Sequence, residues 1–176
     1  MDATYAEKIK QLHKTLAIPA DYAAQRKLTL QYEPAELIAI ENDIFARQQQ
    51  LTPEAALHWN KMREAAKQEN ILLNVVSAFR SVDYQTQLFQ KKLAAGQSIE
   101  KILPVNAAPG YSEHHTGRCL DLTTPDCTPL EEIFETTSAF AWLIEHAGGF
   151  GFKLSYPRNN PHDFVYEPWH WIFNTF

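Results

Sequence analysis

Two histidines, an aspartate and a glutamate carry the chemistry that the rest of the chain must position. His114 and Asp121 lie in the run Ser112-Glu-His-His-Thr-Gly-Arg-Cys-Leu-Asp121, and Glu167-Pro-Trp-His170 follows near the end. Imidazole nitrogens and carboxylate oxygens are the ligands of hydrolytic zinc sites, which take three from the protein and leave one position open for water. His114, Asp121 and His170 make such a set for one zinc ion. A single carboxylate leaves the metal a net positive charge, so it lowers the pKa of a water it holds. Gly117, between His114 and Asp121, lets the chain turn, so that a loop residue and a strand residue can converge. On spacing alone, chance recurrence of histidine and aspartate is the competing explanation.

Glu167 stands three residues before His170. In a regular strand that spacing faces opposite sides, but Pro168 cannot continue a central ladder. A bulge at Pro168 would bring both side chains to one ion. Glu167 could then take a proton from the attacking water and hand it to a leaving amine. The alternative is a surface glutamate at a strand edge. Arg80 ends an apolar run. Its planar guanidinium suits a free terminal carboxylate through two parallel hydrogen bonds, and it can steady a developing oxyanion. A surface arginine at a helix start is the alternative there.

The elements that must hold these residues follow from periodicity and punctuation. Tyr5, Ile9, Leu12 and Leu16 mark one face of a helix that ends before Pro19. Leu28, Leu30 and Tyr32 alternate like a short strand, and residues 34–46 read as helical. Residues 1–50 are therefore expected to form an N-terminal helical arm packed on a main domain of residues 51–176. Thr52-Pro53-Glu54 opens a helix running to about Asn70, with Ala55, Trp59, Met62 and Ala66 buried. Residues 71–77 read as a strand that delivers Arg80. Residues 83–95 form a helix stopped at Gly96, and residues 98–103 a shorter one. Residues 117–123 read as a strand. Thr128 and Glu131 fit a capping box, which makes the Glu131-Glu132 pair a helix start. Residues 138–147 read as helix, and residues 150–156 and 164–173 as two antiparallel strands. Helices mainly first and strands mainly last predict an α+β fold, with helices packed on a small antiparallel sheet that carries the zinc site.

Composition bounds the function. A chain of 176 residues is about one domain, with the hydrophobic (45%) and charged (21%) fractions of a globular protein. A net charge of −5 and a pI near 5.8 offer no basic field for nucleic acid. No stretch reaches the ~18 apolar residues of a membrane span. The first residues lack the basic and apolar regions of a signal peptide, so a cytoplasmic location is expected, or a periplasmic one if an export signal has been trimmed. Cys119 and Cys127 are expected to be reduced. His13, His58, His146 and His162 read as solvent or helix-face residues, and His115 as pointing away from the ion. Trp169 and Trp171 should pack beneath the metal, and Tyr156 and Arg158 are candidates for the cleft wall.

Taken together, Ser112-x-His114-x-x-Gly117-x-x-x-Asp121 and Glu167-x-x-His170 resemble the zinc signature of the VanY-type D-alanyl-D-alanine carboxypeptidases, which VanX-type dipeptidases and bacterial L,D-carboxypeptidases share. Ser77-Ala-Phe-Arg80-Ser81-x-x-x-Gln85 resembles the Ser-Gly-Tyr-Arg-Ser segment of that family, with Ala78 and Phe79 in place of Gly and Tyr. The resemblance covers about residues 53–174. It implies His114, Asp121 and His170 as zinc ligands and Glu167 as general base. It implies Arg80 as the substrate-binding, catalytic arginine, and Gln85 and Ser112 as polar residues lining the substrate cleft. The implied reaction releases a C-terminal D-alanine from peptidoglycan stem peptides or other D-Ala-terminated peptides. An L,D-carboxypeptidase acting on tetrapeptides and a zinc-binding module without catalysis are the alternatives, and the oligomeric state is open. The family usually has a small alanine where this chain has Cys119. By strand alternation Cys119 shares a face with Asp121. A small buried residue is the expectation there, and a competing metal ligand the alternative.

Overall fold

A computed structural model describes residues 3–174. The site is built on a four-stranded antiparallel sheet of order β3-β4-β6-β5, formed by β3 (Asn74–Ser77), β4 (Cys119–Thr123), β5 (Phe152–Leu154) and β6 (His170–Phe173). Register decides which face each residue takes. Leu120 pairs with Trp171, Leu122 with Val75, and Phe152 with Phe173. These residues join one core with Trp59 and Met62 of α3 (Pro53–Gln68) and Leu143 of α6 (Ser138–His146). Burying each such side chain contributes about 1.5–3 kcal/mol, so this face holds the fold together. On the opposite face Asp121 pairs with both His170 and Ser77, and Cys119 is two residues away. Cys119 to Thr123 are buried throughout. The sequence therefore alternates apolar residues toward the core with polar ones toward a second, enclosed layer. The α+β architecture matches the expectation.

The remaining helices are α1 (Ala3–Thr15), α2 (Tyr22–Gln25), α4 (Val82–Ala94) and α5 (Ile99–Ile102). None among the described residues is long and apolar enough to cross a membrane. Ser81 caps α4, its hydroxyl accepting from the Tyr84 N–H at 3.0 Å. Helix α3 stops at Gln68 rather than Asn70, because Asn70 takes a positive φ of 60°.

Several local expectations are corrected. The arm is not helical over residues 34–46: a hairpin occupies this region, β1 (Ile38–Asn42) paired with β2 (Gln48–Leu51). Asp43 makes the turn, its Oδ1 accepting from the N–H groups of Phe45 (2.8 Å) and Arg47 (3.0 Å). Leu28 to Tyr32 form no strand, and Gln31 N–H instead donates to Gly110 O at 2.8 Å. The strand expected over residues 71–77 begins only at Asn74. Thr128 caps nothing, because Leu130 takes a φ of 60° and the next 3-10 turn starts at Glu132. The last strand begins at His170, after a loop in which Asn160 Oδ1 accepts from the N–H groups of His162 and Phe164. Both cysteines are free.

Hairpin and arm brace the stretch around Arg80. Gln49 Oε1 accepts from Ala78 N–H at 2.9 Å, Gln50 O from Phe79 N–H at 3.1 Å, and Glu33 Oε1 from Val82 N–H at 2.6 Å. Nearer the N-terminus, the Tyr22 hydroxyl accepts from Ala108 N–H, and His13 Nε2 donates to Pro109 O.

Candidate metal centre and substrate cleft

His114 sits in a 3-10 turn (Glu113–Thr116) that Gly117 ends with a φ of 63°. A Cβ on Gly117 would lie 2.7 Å from Leu37 Cδ2, and its carbonyl accepts from Thr52 N–H. Glycine takes this left-handed corner without strain, whereas a side chain there would have to displace Leu37. The turn leaves His114 fully buried, with Nδ1 against Ala78 O at 2.5 Å. A carbonyl only accepts, so Nδ1 carries the proton and Nε2 keeps its lone pair. That Nε2 lies 3.1 Å from Asp121 Oδ2 and makes no hydrogen bond. Burial, aided by the Arg80 charge, lowers the His114 pKa to about 4, so the ring is neutral at pH 7.

Asp121 and His170 face one another across β4 and β6, with Asp121 Oδ1 3.0 Å from His170 Nδ1. Burial opposes the charge on Asp121, but the histidines around it win and hold its carboxyl well below the usual range. Glu167 arrives by a turn rather than by the expected bulge. His170 N–H donates back to Glu167 O at 3.1 Å, with Pro168 at the second position of the turn. Glu167 Oε2 comes within 3.5 Å of His170 Nδ1. Burial raises the Glu167 pKa to about 7. Asp121 and Glu113 add to the rise, while His170 and Arg80 oppose it. A carboxylate poised near neutrality suits proton transfer in both directions.

Arg80 closes the group, its Nη2 3.9 Å from Asp121 Oδ2. His115 turns to the backbone and has a task of its own. Its Nδ1 donates to Arg80 O at 2.6 Å and its Nε2 accepts from Gly110 N–H at 3.1 Å, which pins the Arg80 backbone. Arg80, Gln85 and Ser112 line a cleft of about 270 Å³ together with Lys92, Tyr156 and Trp169. Gln85 Nε2 donates to Ala107 O, while its buried Oε1 and the buried Arg80 Nε have no partner. A larger cavity of about 620 Å³ lies beside Glu41, Arg63 and Lys67, but it brings together no comparable set of metal donors among the described residues.

Two residues beside His170, Glu113 and Ser155, carry no role in the sequence reading, and Tyr156 lines the cleft as expected. Glu113 Oε2 lies 3.0 Å from His170 Nε2 and accepts from the Ser155 hydroxyl at 2.6 Å. The Tyr156 ring packs against that of His170, with centroids 4.6 Å apart. Glu113 is the unread residue of the Ser112-Glu-His114 run, and only its position beside a ligand candidate marked it. Arg158 is not on the cleft wall: it pairs with Glu135 at 2.6 Å and lies over the Tyr166 ring. Trp171 is in the core, and Trp169 packs against that core while lining the cleft.

Cys119 is more than a small filler. Its Sγ lies 3.0 Å from His170 Nε2 and 3.7 Å from Nδ1, and burial pushes its thiol pKa up to about 12. The donor atoms of His114, Cys119 and His170 lie within 4.8 Å of one another and could hold a metal ion. Two donor sets thus share the histidines, one completed by Asp121 and the other by Cys119. The His114 Nε2 lone pair, fully buried and without a partner, is left for a divalent cation, and contacts of 3.1 and 3.0 Å bring Asp121 to it and to His170 Nδ1.

Imidazole donors that could hold a metal ion line one cleft with a glutamate of raised pKa and an arginine. The chain belongs to the VanY D-alanyl-D-alanine carboxypeptidase family, whose model matches residues 48–175. It is 31% identical to the putative carboxypeptidase YodJ of Bacillus subtilis (strain 168) over 185 residues, covering 97% of this chain and 67% of that one. Among solved structures it resembles the LD-carboxypeptidase LdcB, with a TM-score of 0.73 and 31% identity over 81% of this chain and 70% of that one. It also shares the fold of a vancomycin-resistance D,D-pentapeptidase VanY solved in complex with Zn(II). There the TM-score is 0.63 at 20% identity, over 85% of this chain and 87% of that one.

Proposed function

We propose that the chain is a zinc-dependent carboxypeptidase that releases a C-terminal D-alanine from peptidoglycan stem peptides or their precursors. The observation that carries this reading is that Arg80 and Glu167 share one cleft with His114, Asp121 and His170. Arg80, its backbone pinned by His115, binds the terminal carboxylate of the substrate and so sets which peptide bond meets the donors. Zinc, when held by His114, Asp121 and His170, supplies Lewis acidity to the scissile carbonyl and lowers the pKa of water. Glu167 accepts the proton of the attacking water as the carbon–oxygen bond forms. It returns that proton to the amine nitrogen as the carbon–nitrogen bond breaks, leaving a shortened peptide and free D-alanine. Gln85 Oε1, buried and unpartnered, accepts from a substrate N–H.

A second reading concerns the residue before the cleaved bond. The relative at 31% identity is an LD-carboxypeptidase, whereas the D,D-pentapeptidase stands at 20%. On that observation the substrate is a tetrapeptide, trimmed at an L,D bond. Both readings release D-alanine. Zinc-loaded protein incubated with muropeptide pentapeptide and with tetrapeptide, followed by mass spectrometry, separates them. Pentapeptide shortened by one alanine is the expected D,D result, and trimming of tetrapeptide alone assigns the L,D bond. Cleavage of neither leaves a binding module and overturns both.

A further inference from the structure

His170 presents two ring nitrogens to two different surroundings. Nδ1 faces Asp121 at 3.0 Å and Glu167 at 3.5 Å, on the cleft side. Nε2 faces Glu113 Oε2 and Cys119 Sγ, each at 3.0 Å. A histidine binds a metal through one nitrogen and keeps its proton on the other, and that proton needs an acceptor. Which acceptor stands behind the ring therefore decides which nitrogen is offered. Carboxylates stand on both sides of the ring, so the nitrogen offered is the one on the side of the other donors: Asp121, 3.0 Å from Nδ1, also lies 3.1 Å from the unpartnered His114 Nε2, which leaves Glu113 as the carboxylate behind the ring. It is anchored from the strand side by the Ser155 hydroxyl at 2.6 Å, and Ser155 N–H in turn donates to His170 O. Glu113 does not line the substrate cleft. It borders a separate small cavity of about 150 Å³ beside Lys27, Tyr111 and His162.

We infer that Glu113 is a positioning residue for the metal centre: with Ser155 it holds the His170 Nε2 proton, so that Nδ1 is the ligand nitrogen. Cys119 then stands behind the ring and is not a ligand. The inference rests on the zinc reading above and chooses between the two donor sets. It also explains why the residue between Ser112 and His114 is acidic. The short turn that aims His114 at the ion swings its neighbour Glu113 to the far side of the other histidine, so one segment orients both rings.

Zinc affinity of the full chain, measured by competition with a chromophoric chelator, tests this without any substrate. Glu113→Ala is expected to weaken zinc binding about 10–100-fold, Glu113→Gln, which keeps an acceptor oxygen, by less, and Cys119→Ala not at all. In zinc-loaded wild type with nitrogen-15 histidine, NMR is expected to show His170 metallated at Nδ1 and protonated at Nε2. This measurement decides the matter even if Glu113→Ala does not fold. Wild-type affinity in a folded Glu113→Ala, a loss in Cys119→Ala as deep as that expected for Glu113→Ala, or metallation at Nε2 overturns the inference. Wild type that binds no zinc sinks the zinc reading itself, and zinc bound without release of D-alanine sinks only the carboxypeptidase reading.

Discussion

Asp43 and Asp121 are both buried carboxylates, 5% and 4% exposed, and both are held below the ordinary carboxylate range. Their surroundings differ in kind. Asp43 is served within its own hairpin by four donors: the N–H groups of Phe45 and Arg47, Arg47 Nε at 2.7 Å and Gln49 Nε2 at 2.7 Å. Each partner brings its own hydrogen, so no lone pair is left over and a cation has nowhere to bind. Asp121 meets two imidazoles, one from the turn just before its strand and one from a strand 49 residues on, with Arg80 farther out at 3.9 Å. An imidazole can surrender its proton and offer a lone pair. A dication can therefore replace protons at Asp121 but not at Asp43. Burial and a depressed pKa do not by themselves mark a site, whereas partners able to change from donor to ligand do.

The largest effect expected from this contrast lies at Glu167. Glu167→Ala should lower kcat about 10²–10⁴-fold while zinc stays bound, read by D-alanine release alongside metal analysis. Undiminished turnover would break the assignment of the base. Next comes the hairpin. Asp43→Ala leaves Arg47, Gln49 and two N–H groups short of an acceptor and should cost about 1–3 kcal/mol in urea unfolding. The folded fraction should keep its zinc and its kcat/KM. Loss of zinc there would show that the two carboxylates are not separate in function.

How much of this was legible depended on how local the cause was. Asp121 and His170 share a strand pair, and alternation along β4 already placed Cys119 on the Asp121 side. Gly117 announced the turn that delivers His114. Residues 34–46 read as helical, whereas the decisive feature there is a single carboxylate, Asp43, bonding two N–H groups just ahead of it. Glu167 was placed near His170, but by a bulge; a Pro at the second position of a reverse turn does the same work more simply. Glu113 and Ser155 stayed hidden because no spacing rule joins them to His170, 57 residues from Glu113 along the chain. Nor does periodicity show that residues 33–50 buttress Arg80 through Glu33, Gln49 and Gln50. Such contacts exist only once the chain has closed on itself.

An effect of similar size separates the two regions by sign. Glu167 has a folded-state pKa near 7 against an ordinary 4.5, raised first by burial. Below 4.5 both folded and unfolded chains carry the proton. Between 4.5 and 7 only the metal-free folded chain does, so stability contributed by the neutral group is lost as pH rises through that window, and above it the buried carboxylate is a fixed cost. Glu167→Gln removes the titration. In chelator, the variant should therefore gain about 1–3 kcal/mol over wild type at pH 8 by urea unfolding, with the gain shrinking toward pH 4.5. Zinc should shrink it too, because a dication favours the ionised form. Asp43 slopes the other way: its depressed pKa gives stability above its unfolded value, lost as pH falls through the folded one. An equal difference between wild type and Glu167→Gln at both pH values would mean that Glu167 is ionised throughout, like Asp43. A site whose glutamate is strained by burial until a cation arrives would then reduce to a second Asp43.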